Sequence, residues 1–314
     1  IQENMIKSAA DLISEETPNY QLVAGRLITY HLRKQVYGQF EPPKLVDIVK
    51  KNIDLKMYDP LLLKWYSSKE WKLMERWIDH KRDEQYTYAA MEQFRGKYLV
   101  QDRYSEKVFE TPQVALMLIA ATLFHRYPKE TRMQWVKDFY DSVSRFEISL
   151  PTPVMAGVRT SIRQFSSCVL IESGDSLDSI NATSAAIVKY VSKRAGIGVG
   201  GGNIRAVGSS INGGHATHTG VIPFYKHFQS AVRSCSQGGV RGGAATLYYP
   251  IWHYEVEDLL VLKNNKGTED NRVRKLDYSI QISKLFYGRF MANDDISLFS
   301  PHDEPRLYDT FGTP

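Results

Sequence analysis

Apolar residues recur at helical spacing over the first half of the chain and in short strand-like runs over the second. Tyr20, Val23, Ala24, Leu27, Ile28, His31 and Leu32 trace one face of a helix, which Gly38, Pro42 and Pro43 bring to a stop. Helical patterns follow at 45–53, 69–82 and 89–94, and KYLVQD followed by KVFET predicts a short hairpin. Thr111 and Pro112 read as a hydroxyl cap and a first-turn proline. The segment they open, QVALMLIAATLF, is apolar on every side and predicts a buried central helix. A further helix is expected over 130–145.

After residue 149 the pattern changes. SLPTPVMAG, 149–157, is too proline-rich for a helix and leads through a Ser/Thr/Arg loop to RQFSSCVLIE, 163–172. There Cys168 stands at the mouth of an apolar strand. Asp175 is placed to cap a long helix reaching Ala195, with Asp178 in its first turn where the helix dipole favours it. Strand-like runs recur near 204–207, 245–249, 278–282 and 296–299, separated by helical patterns at 222–232, 254–262 and 284–291. With the Cys168 strand this makes about five strands with helical crossovers, the pattern of a mainly parallel sheet or barrel.

By residue type alone, a cysteine entering a Val-Leu-Ile strand is a small buried hydrophobe. The change of architecture around Cys168 is what makes it a candidate site. Thirteen of the 21 glycines fall between Gly196 and Gly243. Gly196, Gly198 and Gly201 match the dinucleotide fingerprint by letter, but that fingerprint needs a strand before it and a helix after it, and a helix precedes it here. His215, His218 and His227 have no Cys or carboxylate close by in sequence, and no metal site is expected. SCSQGGVRGGAAT, 234–246, carries an amide in Gln237 and a fixed cation in Arg241 between glycine pairs, the composition of a loop that reads a ligand and moves, or of a plain mobile loop.

At 314 residues and 43% apolar content, the chain is expected to form two domains or one large one. Its formal charge of +5 is spread among 40 basic and 35 acidic residues, so no nucleic-acid footprint is expected. Two cysteines make no disulfide scaffold and point to a reducing, cytoplasmic setting. The most apolar stretch, 114–124, is far shorter than the roughly 20 residues that span a bilayer, and no secretory peptide is read at the start.

SLPTP (149–153), RQFSSCVLIE (163–172), GDSLDSINATS (174–184), KRAGIG (193–198), SCSQGGVRGGAAT (234–246), LKNNKG (262–267) and FSPH (299–302) together resemble the large (alpha) subunit of class I aerobic ribonucleoside-diphosphate reductase. The resemblance runs in order over nearly the whole chain. It implies an α/β fold: a helical N-terminal region followed by the first five-stranded half of a ten-stranded α/β barrel. The division it suggests is the C-terminal remnant of an ATP cone over 1–40, a helical domain over 41–150, and the half barrel with its effector site over 151–314.

The resemblance also assigns roles. It makes Cys168 one of a redox pair that reduces the 2′-carbon of the ribose and becomes a disulfide each turnover. Thr152, Ser167, Ala195 and Gly196 match positions that hold the substrate's diphosphate and ribose, with Gln237 and Arg241 reaching its base and phosphates. Asp175, Ser176, Leu177 and Arg205 match an allosteric site for a deoxynucleoside triphosphate or ATP, and Ile211 and Asn212 fall in the neighbouring effector loop. His31 and Lys34 match the last helix of the ATP cone. Cys235 is not the redox partner in this family.

The catalytic subunit of the resembled family needs a radical cysteine, a second redox cysteine and a C-terminal cysteine pair, for which this sequence has no residues. The chain is therefore expected to need a complementing C-terminal half. Its further implied partners are a second large subunit, a radical-generating, metal-containing small subunit, and thioredoxin or glutaredoxin. Alone it is expected to be inactive. The alternative is a non-catalytic fragment that binds nucleotide and dimerises.

Overall fold

In the structure, a computed structural model that describes residues 1–237 and 241–310 apart from the side chains of Ser236, Gln237 and Arg241, the run QVALMLIAATLF forms a helix buried from Pro112 to Ala121. It belongs to the first of two units, Ile1–Phe165 and Ser166–Pro314. The first unit is helical: α1 (Gln2–Asp11), α2 (Tyr20–Tyr37), α3 (Leu45–Asp54), α4 (Leu62–Trp65), α5 (Ser68–Trp77), α6 (Tyr88–Gln93), α7 (Pro112–Phe124), α8 (Arg132–Ser144) and α9 (Thr152–Gly157). The expected hairpin is present but brief, with β1 (Gln101–Asp102) paired antiparallel to β2 (Lys107–Val108).

Three local expectations are corrected here. The 69–82 helix stops at Trp77, because Asp79 accepts a hydrogen bond from the Lys81 amide and restarts the chain as a 3₁₀ turn over His80–Gln85. Thr111 makes no side-chain cap on α7; its hydroxyl shares a 3.0 Å hydrogen bond with the Tyr37 hydroxyl instead. The proline-rich segment 149–157 does contain a helix, α9. Pro151 supplies the extended residue before it, and Pro153 sits in the first turn, where its missing N–H costs nothing.

Polar side chains sealed inside this unit form two buried networks. Arg159 and Glu110, both without solvent exposure, are paired through Arg159 Nε to Glu110 Oε2 at 2.7 Å and by a second contact between Arg159 Nη2 and Glu110 Oε1. The remaining lone pairs of Glu110 are taken by the Tyr58 hydroxyl at 2.5 Å and the Val100 amide at 2.6 Å. Arg33 on α2 faces Asp83 at 3.6 Å, and Gln113 donates to Asp83 Oδ1 at 3.0 Å.

The second unit is built on parallel strands β3 (Cys168–Glu172), β4 (Gly196–Gly200), β9 (Ala245–Pro250) and β10 (Asp277–Gln281), in the order β10-β9-β4-β3. The connections include helices α10 (Leu177–Val191), α11 (Ile222–Arg233) and α12 (Val256–Leu260); α13 (Lys284–Ala292) and the short α14 (Arg306–Asp309) follow β10. Two small ribbons pair β5 (Ser210–Ile211) with β6 (Ala216–Thr217) and β7 (Ser236–Gln237) with β8 (Arg241–Gly242). Ile197 and Val199, Leu247 and Tyr249, and α11 residues Tyr225 and Phe228 share one buried core.

Here the sequence pattern misplaces strands. The glycine-rich stretch 196–200 is itself a strand, and 204–207 is not. Side chains of β3 lean over β4, so that a Cβ on Gly198 would come within 2.5 Å of Leu170 Cδ2; extended chain fits there only without side chains on that face. The dinucleotide fingerprint is thereby excluded, since its turn is a strand. The run 296–299 adds one parallel bridge, Phe299 to His253, because Phe299 pairs with the loop after β9: its amide donates to Trp252 O and its carbonyl accepts from Tyr254 N, both at 2.9 Å. Four strands, not five, are joined as a sheet among the described residues.

Candidate functional site

A polar linkage at the start of α10 is the most organised feature of the second unit. The helix is capped by Ser176, not Asp175: Ser176 Oγ accepts from Ser179 N at 3.2 Å, and Ser179 Oγ accepts from Gly174 N at 2.8 Å. The helix ends at Val191 rather than Ala195. Freed from capping, Asp175 takes Arg205 from two sides. Its Oδ1 accepts from the Arg205 amide at 2.7 Å, its Oδ2 accepts from Arg205 Nε at 2.7 Å, and Arg205 Nη2 stands 2.6 Å from Oδ2 in the ion pair. Arg205 Nη1 donates to Ser210 O at 2.6 Å.

Asp175 and Arg205 therefore bind one another, and Arg205 reaches the loop that carries Ile211 and Asn212. Leu177, the first helical residue, is 66% exposed beside them. Asn212 stands at the loop tip with φ +50° and begins a 3₁₀ turn, Asn212–Gly214. The N-terminal amides of α10, the Arg205 guanidinium and an open loop edge make this end of the unit suited to an anion.

The segment bearing Arg205 is clamped by residues the sequence reading did not assign. His253 donates Nε2–H to Ile204 O at 3.1 Å while its Nδ1 accepts from Glu255 N at 3.2 Å, which fixes a neutral ring whose basicity burial lowers further. Ser300 Oγ accepts from Ala206 N at 3.2 Å and lies 2.8 Å from Ser209 Oγ. Buried Glu255 accepts from Val207 N at 2.8 Å and Val221 N at 3.2 Å; burial pushes its carboxyl above the ordinary range against those two donors. His302 Nδ1 lies 4.0 Å from Asp175 Oδ2. The only advance signal was FSPH, whose Ser and His supply two of these contacts. His253 and Glu255 carry no local mark.

Cys168 is an exposed free thiol at the head of β3, in register with Gly196, whose amide donates to Ser167 O at 2.8 Å. Ser167 is exposed, whereas Ala195 is buried and donates its amide to Tyr190 O at 3.1 Å. Cys168, Ser167, Ala195 and Gly196 thus stand together where β3 and β4 begin. Gln237 and Arg241 pair through their backbones in the β7–β8 ribbon, and their side chains lie outside the described residues. Thr152 belongs to the first unit, exposed at the start of α9. There too, His31 Nδ1 meets Gln2 Oε1, and Lys34 Nζ lies 4.5 Å from the Tyr30 ring centre.

Sequence comparison decides the family. A model of the ribonucleotide reductase all-alpha domain matches residues 84–163, and one of the ribonucleotide reductase barrel domain matches 166–314. The chain belongs to the ribonucleotide reductase family. It is 63% identical over 311 residues to the ribonucleoside-diphosphate reductase 1 subunit alpha of Escherichia coli K12, covering 99% of this chain and 41% of that protein. The corresponding subunit of bacteriophage T4 is 56% identical over 303 residues, covering 96% of this chain and 40% of its own. Among solved structures, the class Id ribonucleotide reductase alpha subunit of Actinobacillus ureae shares the fold at TM-score 0.54 and 20% identity, over 74% of this chain and 37% of that one. The chain spans about two fifths of the length of the curated relatives it matches. No described helix is long and apolar enough to cross a membrane.

Proposed function

We propose that the chain forms part of a catalytic subunit that reduces ribonucleoside diphosphates to deoxyribonucleoside diphosphates under allosteric nucleotide control. The observation that carries this reading is the presence in one unit of an exposed thiol at the head of β3 and the Asp175–Arg205–Ser210 linkage at the start of α10. Cys168 supplies one of two thiols. Together they give two electrons and two protons, the ribose 2′-hydroxyl leaves as water, hydrogen takes its place, and a disulfide forms.

Thr152, Ser167, Ala195, Gly196, Gln237 and Arg241 are proposed to hold the substrate. Asp175, Ser176, Leu177, Arg205, Ile211 and Asn212 are proposed to hold a deoxynucleoside triphosphate or ATP as effector. His31 and Lys34 are read as the remnant of an ATP cone over 1–40, with a helical domain over 41–150 and the half barrel over 151–314. The second redox thiol and the radical cysteine come from a complementing C-terminal half, and the radical from a metal-containing small subunit. A second large subunit completes a dimer, thioredoxin or glutaredoxin reloads the thiols, and the setting is cytoplasmic.

A non-catalytic nucleotide-binding and dimerisation role remains as a second reading, favoured by one observation. The Asp175–Arg205 linkage is complete within Ser166–Pro314, whereas the sequence offers Cys168 only Cys235 as a second thiol. Intact mass and stoichiometry of the particle from its native source separate the two. In a particle that contains the missing cysteines, Cys168→Ser should abolish thioredoxin-supported turnover while nucleotide binding persists. Turnover that survives Cys168→Ser sinks the catalytic assignment.

A further inference from the structure

Residues 208–220 leave the body of the second unit and return to it, and both ends of the excursion arrive at one carboxylate. Glu255 accepts from Val207 N on one side, at 2.8 Å, and from Val221 N on the other, at 3.2 Å. The neck between them is closed by Gly208 N to His218 O and His218 N to Ser209 O, both at 2.9 Å. Beyond the neck, every residue from Asn212 to Thr217 is exposed. The tip is tied back to Arg205 through Ser210 O.

Both amides share Glu255 Oε2, and Val221 N is shared with Oε1 at 3.3 Å, so both oxygens face the neck. A carboxylate accepts at both positions; a carboxamide accepts at one, and its NH₂ group in the other would confront an amide N–H. The last residue before Val221 is fitted to the same carboxylate. Gly220 has φ +94°, and a Cβ on it would stand 2.6 Å from Glu255 Oε1. Glu255 is itself on a stiff segment, since its amide is held by His253 Nδ1 while the same ring holds Ile204 O. With Ser300 on Ala206 N, the backbone on both sides of Arg205 is fixed by side chains from elsewhere in the unit.

We infer that Glu255 is a positioning residue for the effector loop: it closes the neck of residues 207–221 and so fixes how Arg205 and the loop tip meet a bound nucleotide. The inference rests on the reading of Asp175, Arg205 and Ile211 as a nucleotide site. Glu255 does not touch the ligand in this scheme. It holds the backbone that presents the groups that do.

The test uses the complete reductase, with turnover titrated against ATP and each of the four deoxynucleoside triphosphates in turn. Glu255→Gln should raise the effector concentration for half-maximal response by about tenfold, the scale of one misdirected buried hydrogen bond, and turnover should recover at saturating effector. Hydrogen exchange should accelerate across 207–221 while β9 stays protected. Gly220→Ala reaches the same carboxylate from the loop side and should reproduce both effects, which keeps the test alive if Glu255→Gln fails to fold. Arg205→Ala serves as the control. If it weakens the effector response while Glu255→Gln and Gly220→Ala leave it within about twofold of normal, below the effect of one hydrogen bond, the positioning role is overturned. If Arg205→Ala itself leaves the response unmoved, the nucleotide reading falls and the inference with it.

Discussion

The two units bury polar groups for different ends. In the first, Glu110 and Arg159 have no exposure, and every strong contact they make is with another buried group or a backbone atom of the same unit. In the second, Asp175 and Arg205 are each about one fifth exposed, and the buried groups around them, His253, Glu255 and Ser300, each make a hydrogen bond to backbone within two residues of Arg205. The first network is closed and fixes helices to one another. The second is open on one side, so that the buried members set the direction of members that solvent or a ligand can reach. A buried ion pair is weak evidence of function; polar groups that converge on one stretch of backbone are stronger evidence.

Cutting the closed network should have the larger effect on folding. Glu110→Ala leaves the Arg159 guanidinium buried without its carboxylate and orphans the Tyr58 hydroxyl and the Val100 amide. Removing one partner of such a pair costs about 3–5 kcal/mol. For a unit of this size that corresponds to a fall of roughly 10 °C in the unfolding midpoint. Four of the five tryptophans, Trp65, Trp71, Trp77 and Trp135, lie in the first unit, so their fluorescence reports its melting. A shift below about 2 °C, under 1 kcal/mol, would show that water reaches Arg159 and that the closed description is wrong.

The same contrast decides what was legible in the sequence. Periodicity located α7, α8, α11, β9 and β10, because each packs apolar side chains of its own against a core. It failed at β4, where the strand exists because side chains are missing, and at α9, where Pro151 and Pro153 occupy positions a helix start tolerates. Asp175 was placed as a cap because Asp and Ser are equally good there; its partner Arg205 lies 30 residues away. Family resemblance carried the candidate residues and pattern did not. His253 and Glu255 escaped both, since their role exists only once the chain after β9 folds back beside residues 204–207.

Asp83, in the second buried network of the first unit, tests whether such a group titrates. Burial raises its carboxyl from the ordinary 3.8 to about 7, opposed by the hydrogen bond from Gln113 and the charge of Arg33. The folded state therefore holds this proton where the unfolded state has lost it. Its contribution to stability is fully present below pH 4 and is lost as pH rises toward 7, by on the order of 2–4 kcal/mol. Glu70 and Asp141 have lowered values and act oppositely, so the informative quantity is the difference between the native chain and Asp83→Asn. That difference should grow in favour of the amide variant between pH 4 and pH 8; parallel melting curves across that range would show that Asp83 stays ionised beside Arg33.

Arg205→Ala should have the smallest effect on folding and a clear effect on binding, which is the sharpest form of the comparison. The substitution removes two side-chain hydrogen bonds and an ion-pair contact, but Asp175 keeps the backbone amide at position 205, and the carboxylate and Ser210 O are open enough to be rehydrated. The expected loss of stability is under about 1 kcal/mol, as for a partly exposed pair. Affinity for a nucleoside triphosphate should fall by about tenfold or more, because a lost charge-assisted contact to a phosphate or a misplaced loop each costs at least that much. Calorimetric titration with dATP, dTTP, dGTP, dCTP and ATP, alongside thermal melting of the same samples, measures both. A variant that melts early yet binds normally would make the Asp175–Arg205 linkage a structural bond like Glu110–Arg159, and the distinction between the two units would collapse.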